Sequence, residues 1–209
     1  MTTHNVVTAV LPLPAWMGMM VADRSERSTL RAEVHAARGG DSAAFETLVR
    51  SVQRPVFGLC MRLLRSEAEA SEVAQETFLR AFQNLHRFDD GKPFDLWVMA
   101  IARNLCLDLL RRRSRMRTQD VEELTDQLPA TQATQEETVI AQEERHSLES
   151  AMGTLSADDR AVLALYYVQK RTTKEIAVVL GCAPGTIMAR LFRAREKLRK
   201  KMKPQEDTP

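Results

Sequence analysis

The chain has 209 residues, with 30 Lys and Arg against 28 Asp and Glu for a formal net charge of +2. That length accommodates one or two domains, each able to bury its own core, and no run of about 18 apolar residues is present to span a membrane. Cys60, Cys106 and Cys182 lie far apart with no CxxC pair and no histidine at metal spacing, so they read as buried, inert thiols of a reducing cytosol.

The balanced charge is an average over sharply different segments. Arg103 to Arg117 carries six arginines, whereas Thr118 to Glu144 holds eight acids and neither Lys nor Arg. Lys170 to Lys203 then holds eleven Lys and Arg against Glu175 and Glu196, a local charge of 11 − 2 = +9. A basic, acidic, basic order suggests two nucleic-acid-facing modules separated by a solvated linker.

At the N-terminus, VVTAVLPLPAWMGMMVA is apolar but lacks a basic leader, contains Pro12 and Pro14, and runs into DRSER. It reads as a disordered extension, or as an upstream misread of a start at Met17, Met19 or Met20, rather than as a signal peptide. From Leu30 to about Arg115 the periodicity is helical throughout. Leu30 to Arg38 forms a short helix stopped by Gly39-Gly40. Asp41 or Ser42 caps the next, whose apolar face is Phe45, Leu48, Val49, Val52, Val56, Leu59, Cys60 and Leu63. Pro55 is expected to bend or break it.

Ser66 caps a third helix, with Glu67 and Glu69 at its positive end. Its expected buried stripe is Ala70, Ala74, Phe78, Ala81, Phe82 and Leu85. Another side carries Glu72, Gln75, Glu76, Leu79 and Gln83, an acidic face with one apolar anchor. That pattern fits either a dock for a basic partner or an ordinary wetted face. After the loop His86 to Pro93, a fourth helix runs from about Phe94 to Arg113. Val98, Ile101, Ala102, Leu105 and Leu109 form its core stripe, and Trp97, Asn104, Asp108 and Arg111 share another side. Arginines at a helix end suit the dipole, but six in fifteen residues exceed what capping needs and point to phosphate.

In TTKEIAVVLGCAPGTIMARLFRAREKL, Ala177, Gly181 and Ile187 have helix-turn-helix spacing: a small residue at the crossing, a glycine free to take φ > 0, and an apolar pin. The strongly basic second helix suits DNA. No G-x-S-x-G, P-loop or HExxH is present, so the sequence predicts neither an enzyme nor a cofactor or metal site. Asp158-Asp159 and Glu143-Glu144 read as capping or solvated acids.

Three segments together carry a family resemblance. EVAQETFLRAF and W-x-x-x-IARN, within Asp41 to Arg113, resemble the second domain of extracytoplasmic-function sigma factors. GTI-x-x-RL-x-RAREKL, within Leu155 to Arg199, resembles their fourth. The resemblance implies an all-α protein: a sigma domain 2 four-helix bundle over 29–116 and a sigma domain 4 helix-turn-helix over 139–203. An acidic flexible linker at 117–138 would join them, with a disordered extension at 1–28 and a tail at 204–209.

By the same resemblance, Glu72, Gln75, Glu76 and Leu79 would dock on the β′ clamp helices of core RNA polymerase, with the β subunit a further contact. Phe88, Trp97, Asn104, Asp108, Arg111, Arg112 and Arg113 would meet the −10 element, where holding an extruded base must offset unstacking. Thr186, Met188, Ala189, Arg190, Phe192, Arg193 and Lys197 would meet the −35 element. Met188 and Ala189 stand where the family often has a basic and a small polar residue, which moves the expected base readout onto Arg190, Phe192 and Arg193. Asp89-Asp90 makes the melting loop unusually acidic. The implied partners are core polymerase, promoter DNA and a cognate anti-sigma factor, with no small-molecule substrate and no membrane insertion of its own; the implied location is the bacterial cytoplasm, or the inner membrane where an anti-sigma factor holds the chain there. A stand-alone helix-turn-helix regulator is the competing reading from another class.

Overall fold

The computed structural model describes residues 26–117 and 147–202. Most of the expected N-terminal extension and acidic linker, and all of the C-terminal tail, lie outside the described residues. Among those described, every regular element is helical.

Helix α1 (Glu26–Arg38) ends at a turn in which Gly40 takes φ 95°, and Asp41 then caps α2 (Ser42–Leu64) by accepting from the Ala43 and Ala44 amides. α2 runs unbroken through Pro55, so the expected break does not occur. A proline leaves one carbonyl a turn earlier without its amide partner, a loss that packing on a buried face can offset. Its buried side is Leu48, Val52, Val56, Leu59, Cys60, Leu63 and Leu64. Each such aliphatic contributes about 1.5–3 kcal/mol on leaving water. Ser66 caps α3 (Glu67–Asn84), which continues through a 3₁₀ turn, Leu85–Arg87. α4 (Phe94–Arg117) then completes the first unit, four residues longer than the sequence suggested.

The second unit opens with a helix over 147–153, here α5. Ser156 caps α6 (Ala157–Leu163), which widens into a π-helical turn, Ala164–Val168. Thr172 and Glu175 form a reciprocal capping box at the start of α7 (Thr173–Leu180), satisfying two amides that would otherwise be orphaned. Gly181 terminates α7 at φ 63°, the left-handed conformation expected of it. α8 (Pro184–Met202) follows at 94° to α7, with proline in its first turn, where no amide is missed.

The two units are docked rather than held apart. α7 packs on α4, and α6 packs on α2, so that one continuous apolar core includes Leu59, Met99, Cys106, Leu165, Ile176 and Leu191. Polar groups cross the seam as well. Buried Arg160 donates to the Leu63 carbonyl at 2.8 Å, and Gln169 donates to the Pro55 carbonyl at 2.8 Å. Burial holds the Arg160 guanidinium below the ordinary arginine range, and the neighbouring charge of Arg65 adds to the effect. Burial acts in the same direction on Arg62, opposed there by Glu149.

Candidate nucleic-acid and polymerase interface

Three exposed faces gather the predicted functional residues. On α3, Glu72, Gln75 and Leu79 are exposed and Glu76 is half-buried, with Glu76 paired to Arg80 at 2.7 Å. Phe82 was expected inside but is 53% exposed, next to Leu79 at 52%. Its ring meets Phe45 edge-on at 4.9 Å, so Phe45 supports it from beneath rather than covering it. Leu79 and Phe82, three apart, share one side of the helix. The apolar anchor in this acidic face therefore comprises two residues. Periodicity misses the second because Phe82 stands four residues after the inward-leaning Phe78.

The second face surrounds a cleft of about 370 Å³ lined by Arg80, Asn84, Arg87, Trp97, Ile101, Asn104 and Leu105. Trp97 forms one wall, its ring 5.0 Å from Phe88 and 5.8 Å from Phe94. Phe88 itself is buried; it supports the tryptophan instead of meeting a ligand. Arg103 donates to the Asn104 amide oxygen at 3.2 Å, orienting that side chain. Asp108 and Arg111 pair at 3.3 Å beside exposed Arg112. Arg113 turns back to Glu69 on α3. Aromatic and amide groups thus line the cleft, with guanidinium groups along the exposed end of α4. Such a set suits a stacked base and neighbouring phosphates. Arg80, Asn84 and Arg87 were not singled out from sequence, because the end of α3 and the turn after it meet α4 only in the folded chain.

The loop beside the cleft is firmly held. Asp89 accepts from the Gly91 amide at 2.9 Å and lies 3.6 Å from Lys92, while Asp90 pairs with Arg38 at 2.9 Å. The Gly91 amide holds the Asp89 carboxyl below the usual carboxylate range, against a smaller opposing effect of burial and with help from Lys92. Both acids of this loop therefore have partners within the unit.

On α8 the third face is set by what is buried: Ile187, Leu191, Ala194 and Leu198 point inward. Helical spacing then turns Ala189, Phe192 and Arg193 straight outward. Met188 lies on one flank, with Met188 and Phe192 56% and 65% exposed. Thr186, Arg190 and Lys197 lie on the other flank. Lys197 is bound to Asp159 at 2.5 Å, and Arg190 stands 3.7 Å from Asp158. The two aspartates thus form ion pairs, beyond the capping or solvation assigned to them. Of the expected base readers, Phe192 and Arg193 are presented, and Arg190 is engaged elsewhere. Arg195, absent from the expected set, lies over Tyr166 and Tyr167 at 5.7 and 5.3 Å and seats the helix on the π-helical turn.

Together the described residues form two helical units, the second carrying a helix-turn-helix with a basic outer helix, and an exposed acidic face with two apolar side chains on α3. Residues 48–116 match the family Sigma-70 region 2, and residues 145–198 match Sigma-70, region 4. The chain is 29% identical over 181 residues to the ECF RNA polymerase sigma factor SigW of Bacillus subtilis, covering 83% of this chain and 97% of the relative. It is 33% identical to the ECF RNA polymerase sigma factor SigL of Mycobacterium tuberculosis, covering 80% and 94% of the two. Its fold is similar to that of the sigma factor RpoE solved in complex with the anti-sigma factor NepR from Bartonella quintana: TM-score 0.64, 24% identity, 78% of this chain and 98% of that one. The chain belongs to the extracytoplasmic-function RNA polymerase sigma factors. It is a promoter-specificity subunit that binds core polymerase and directs initiation at −10 and −35 elements.

Proposed function

We propose that the three faces divide this work. Glu72, Gln75, Glu76 and Leu79, joined by Phe82, dock on the β′ clamp helices; the observation that carries this is a pair of exposed apolar side chains set in an acidic face. The Trp97–Asn104 cleft receives an extruded base of the −10 element, while Asp108, Arg111 and Arg112 border the strand and Arg113 holds α4 to α3. Ala189, Phe192 and Arg193 read the −35 element, with Met188, Thr186, Arg190 and Lys197 at the groove margins. The work is binding and strand separation, with no covalent chemistry of the chain's own.

The domain limits follow the same division: −10 reading and core docking over 29–116, −35 reading over 139–203, and a connecting segment over 117–138. A cognate anti-sigma factor restrains the chain, in keeping with RpoE, whose solved structure holds NepR. The chain acts in the cytoplasm. In keeping with this, no single helix among the described residues is long and apolar enough to cross a membrane.

Reconstituted transcription tests the reading. Purified chain added to core polymerase should give initiation at a defined promoter set, whereas the free chain should bind those duplexes poorly. Tight, sequence-specific binding by the free chain would instead indicate a factor that works without polymerase.

A further inference from the structure

The cleft between α3 and α4 presents mostly hydrogen-bond donors. Arg87 ends the 3₁₀ turn immediately before Phe88, whose ring supports Trp97, and its exposed side chain lines the cleft. The backbone around it is fixed, because Arg38 donates to the carbonyls of Leu85 and Phe88. Arg80 donates to Glu76 through Nε at 2.7 Å, which turns that edge of its guanidinium toward the docking face. Asn104 accepts from Arg103 at its amide oxygen, leaving its NH₂ group as a donor. Asn84 is reversed: its NH₂ group donates to the Arg80 carbonyl at 2.9 Å, and its oxygen remains to accept. Among the described residues, no carboxylate lines the cleft.

We propose that Arg87 reads the extruded base by a two-pronged contact, and that the base it selects is cytosine or guanine. The inference rests on the assignment of this cleft to an extruded base of the −10 element. A guanidinium presents parallel N–H donors in a planar fork, and so needs two acceptors side by side. A base turned out of the stack offers all of its edges. Guanine carries such a pair at N7 and O6, and cytosine carries one at N3 and O2. Adenine sets its N6 amine between N1 and N7, and thymine sets N3–H between its two carbonyls. Either would leave one prong of the fork facing a donor. In both favoured bases the acceptor pair is followed by a donor, N1–H in guanine and the N4 amine in cytosine, which suits the Asn84 oxygen. Stacking on Trp97 tolerates any base, so the choice among bases falls to these polar groups.

The test uses holoenzyme assembled from the full chain and core polymerase, on a promoter already unpaired over the −10 element so that strand opening is not measured. Each position of the non-template strand is set in turn to each of the four bases and to an abasic residue. At one position, cytosine or guanine should be bound about tenfold more tightly than adenine or thymine. The deaza analogue of the favoured base, 3-deazacytosine or 7-deazaguanine, turns one acceptor nitrogen into C–H and should lose most of that preference. Arg87→Lys keeps the charge but not the fork; it should flatten the preference at that position and leave the other positions as they were. An unchanged preference in Arg87→Lys would overturn the proposal, as would adenine or thymine favoured at the position that this variant alters. Arg87→Ala should likewise erase the preference; equal weakening of all four bases would instead make Arg87 a phosphate contact and sink the proposal. Each of these failures leaves the cleft assignment standing. That assignment fails on a different result, an abasic residue that weakens wild-type binding at no position.

Discussion

Arg38 lies over the ring of Phe88, its guanidinium carbon 5.9 Å from the ring centroid. Through the same group it donates to the Leu85 carbonyl at 3.0 Å, pairs with Asp90 at 2.9 Å and reaches the Phe88 carbonyl. A residue of α1 thereby fixes the turn that supports Trp97 in the cleft. A cation over an aromatic ring contributes about 0.5–1 kcal/mol at such sites, and hydrogen bonds to a charged group about 1.5–3 kcal/mol.

Replacing Arg38 by Ala is therefore expected to loosen the Leu85 to Asp90 turn by about 2 kcal/mol without unfolding the unit, whose core is elsewhere. Transcription from a duplex promoter should fall several-fold, and transcription from a template already opened over the −10 element should fall much less. Equal losses on both templates would place the effect in overall folding rather than in strand opening.

The acidic face of α3 gives a charge-reversal prediction. Glu76 is paired only along its own helix, to Arg80, and surface pairs of this kind contribute about 0.3–0.5 kcal/mol. Glu76→Lys should therefore leave the melting temperature nearly unchanged while lowering affinity for core polymerase about tenfold or more. Leu79→Ala should weaken core binding with little loss of stability, and Phe82→Ala should weaken it while also giving up the edge-on contact with Phe45, about 0.5–1.5 kcal/mol. Competitive binding to core, read beside thermal melting, separates docking from folding; undiminished core affinity in all three variants would remove this face from the interface.

Much of the fold was legible because it repeats along the chain. Asp41, Ser66, Thr172, Gly181 and Pro184 act through local backbone geometry, so the helix ends they mark can be read from neighbouring residues. The inward stripe of α8 follows from Ile187, Leu191, Ala194 and Leu198, and its outer face follows from that. The docking of the two units was not legible, because it depends on single residues with no pattern around them. Asp95, Asp158 and Arg171 look like helix-start acids and a loop base until Arg171 is placed beside Asp95, and Arg103 beside Asp158. Phe82 was misplaced for a related reason. Sequence shows that it is apolar and on the flank of a buried stripe, but not that Phe45 fills the space beneath it.

The loop beside the cleft carries a pH prediction. The Asp89 carboxyl is held below its ordinary value of 3.8, first by the Gly91 amide. A carboxylate depressed in the folded chain contributes stability that is present above its unfolded value and is lost as pH falls through the folded one. The turn should therefore stay ordered through the whole neutral range and loosen only in strong acid. Carboxyl NMR titration should show Asp89 titrating below 3.8. Gly91→Pro, which deletes the donating amide, should move that titration upward, and an unmoved titration would assign the shift to Lys92.

The last prediction separates base contacts from phosphate contacts on α8. Arg193 is exposed on the outward face, its Nε donating only to the Ala189 carbonyl at 3.3 Å. Lys200 is exposed two turns further along, where a straight helix leaves the groove and can meet only backbone. Lys197 stands between them but is bound to Asp159 at 2.5 Å, so it reaches DNA only by giving up that partner. Loss of a base-reading arginine costs about 1–3 kcal/mol and relaxes discrimination at one position, whereas loss of a phosphate contact weakens all sequences alike and flattens the salt slope. Arg193→Ala should therefore reduce transcription from the cognate −35 element far more than from a scrambled one. Lys200→Ala should lower both by a similar, smaller factor, and Lys197→Ala should do so less again, because the wild-type lysine is already engaged. Both promoters assayed at several salt concentrations decide the matter: equal losses for Arg193→Ala on the two elements would show that this arginine positions the helix and reads no base.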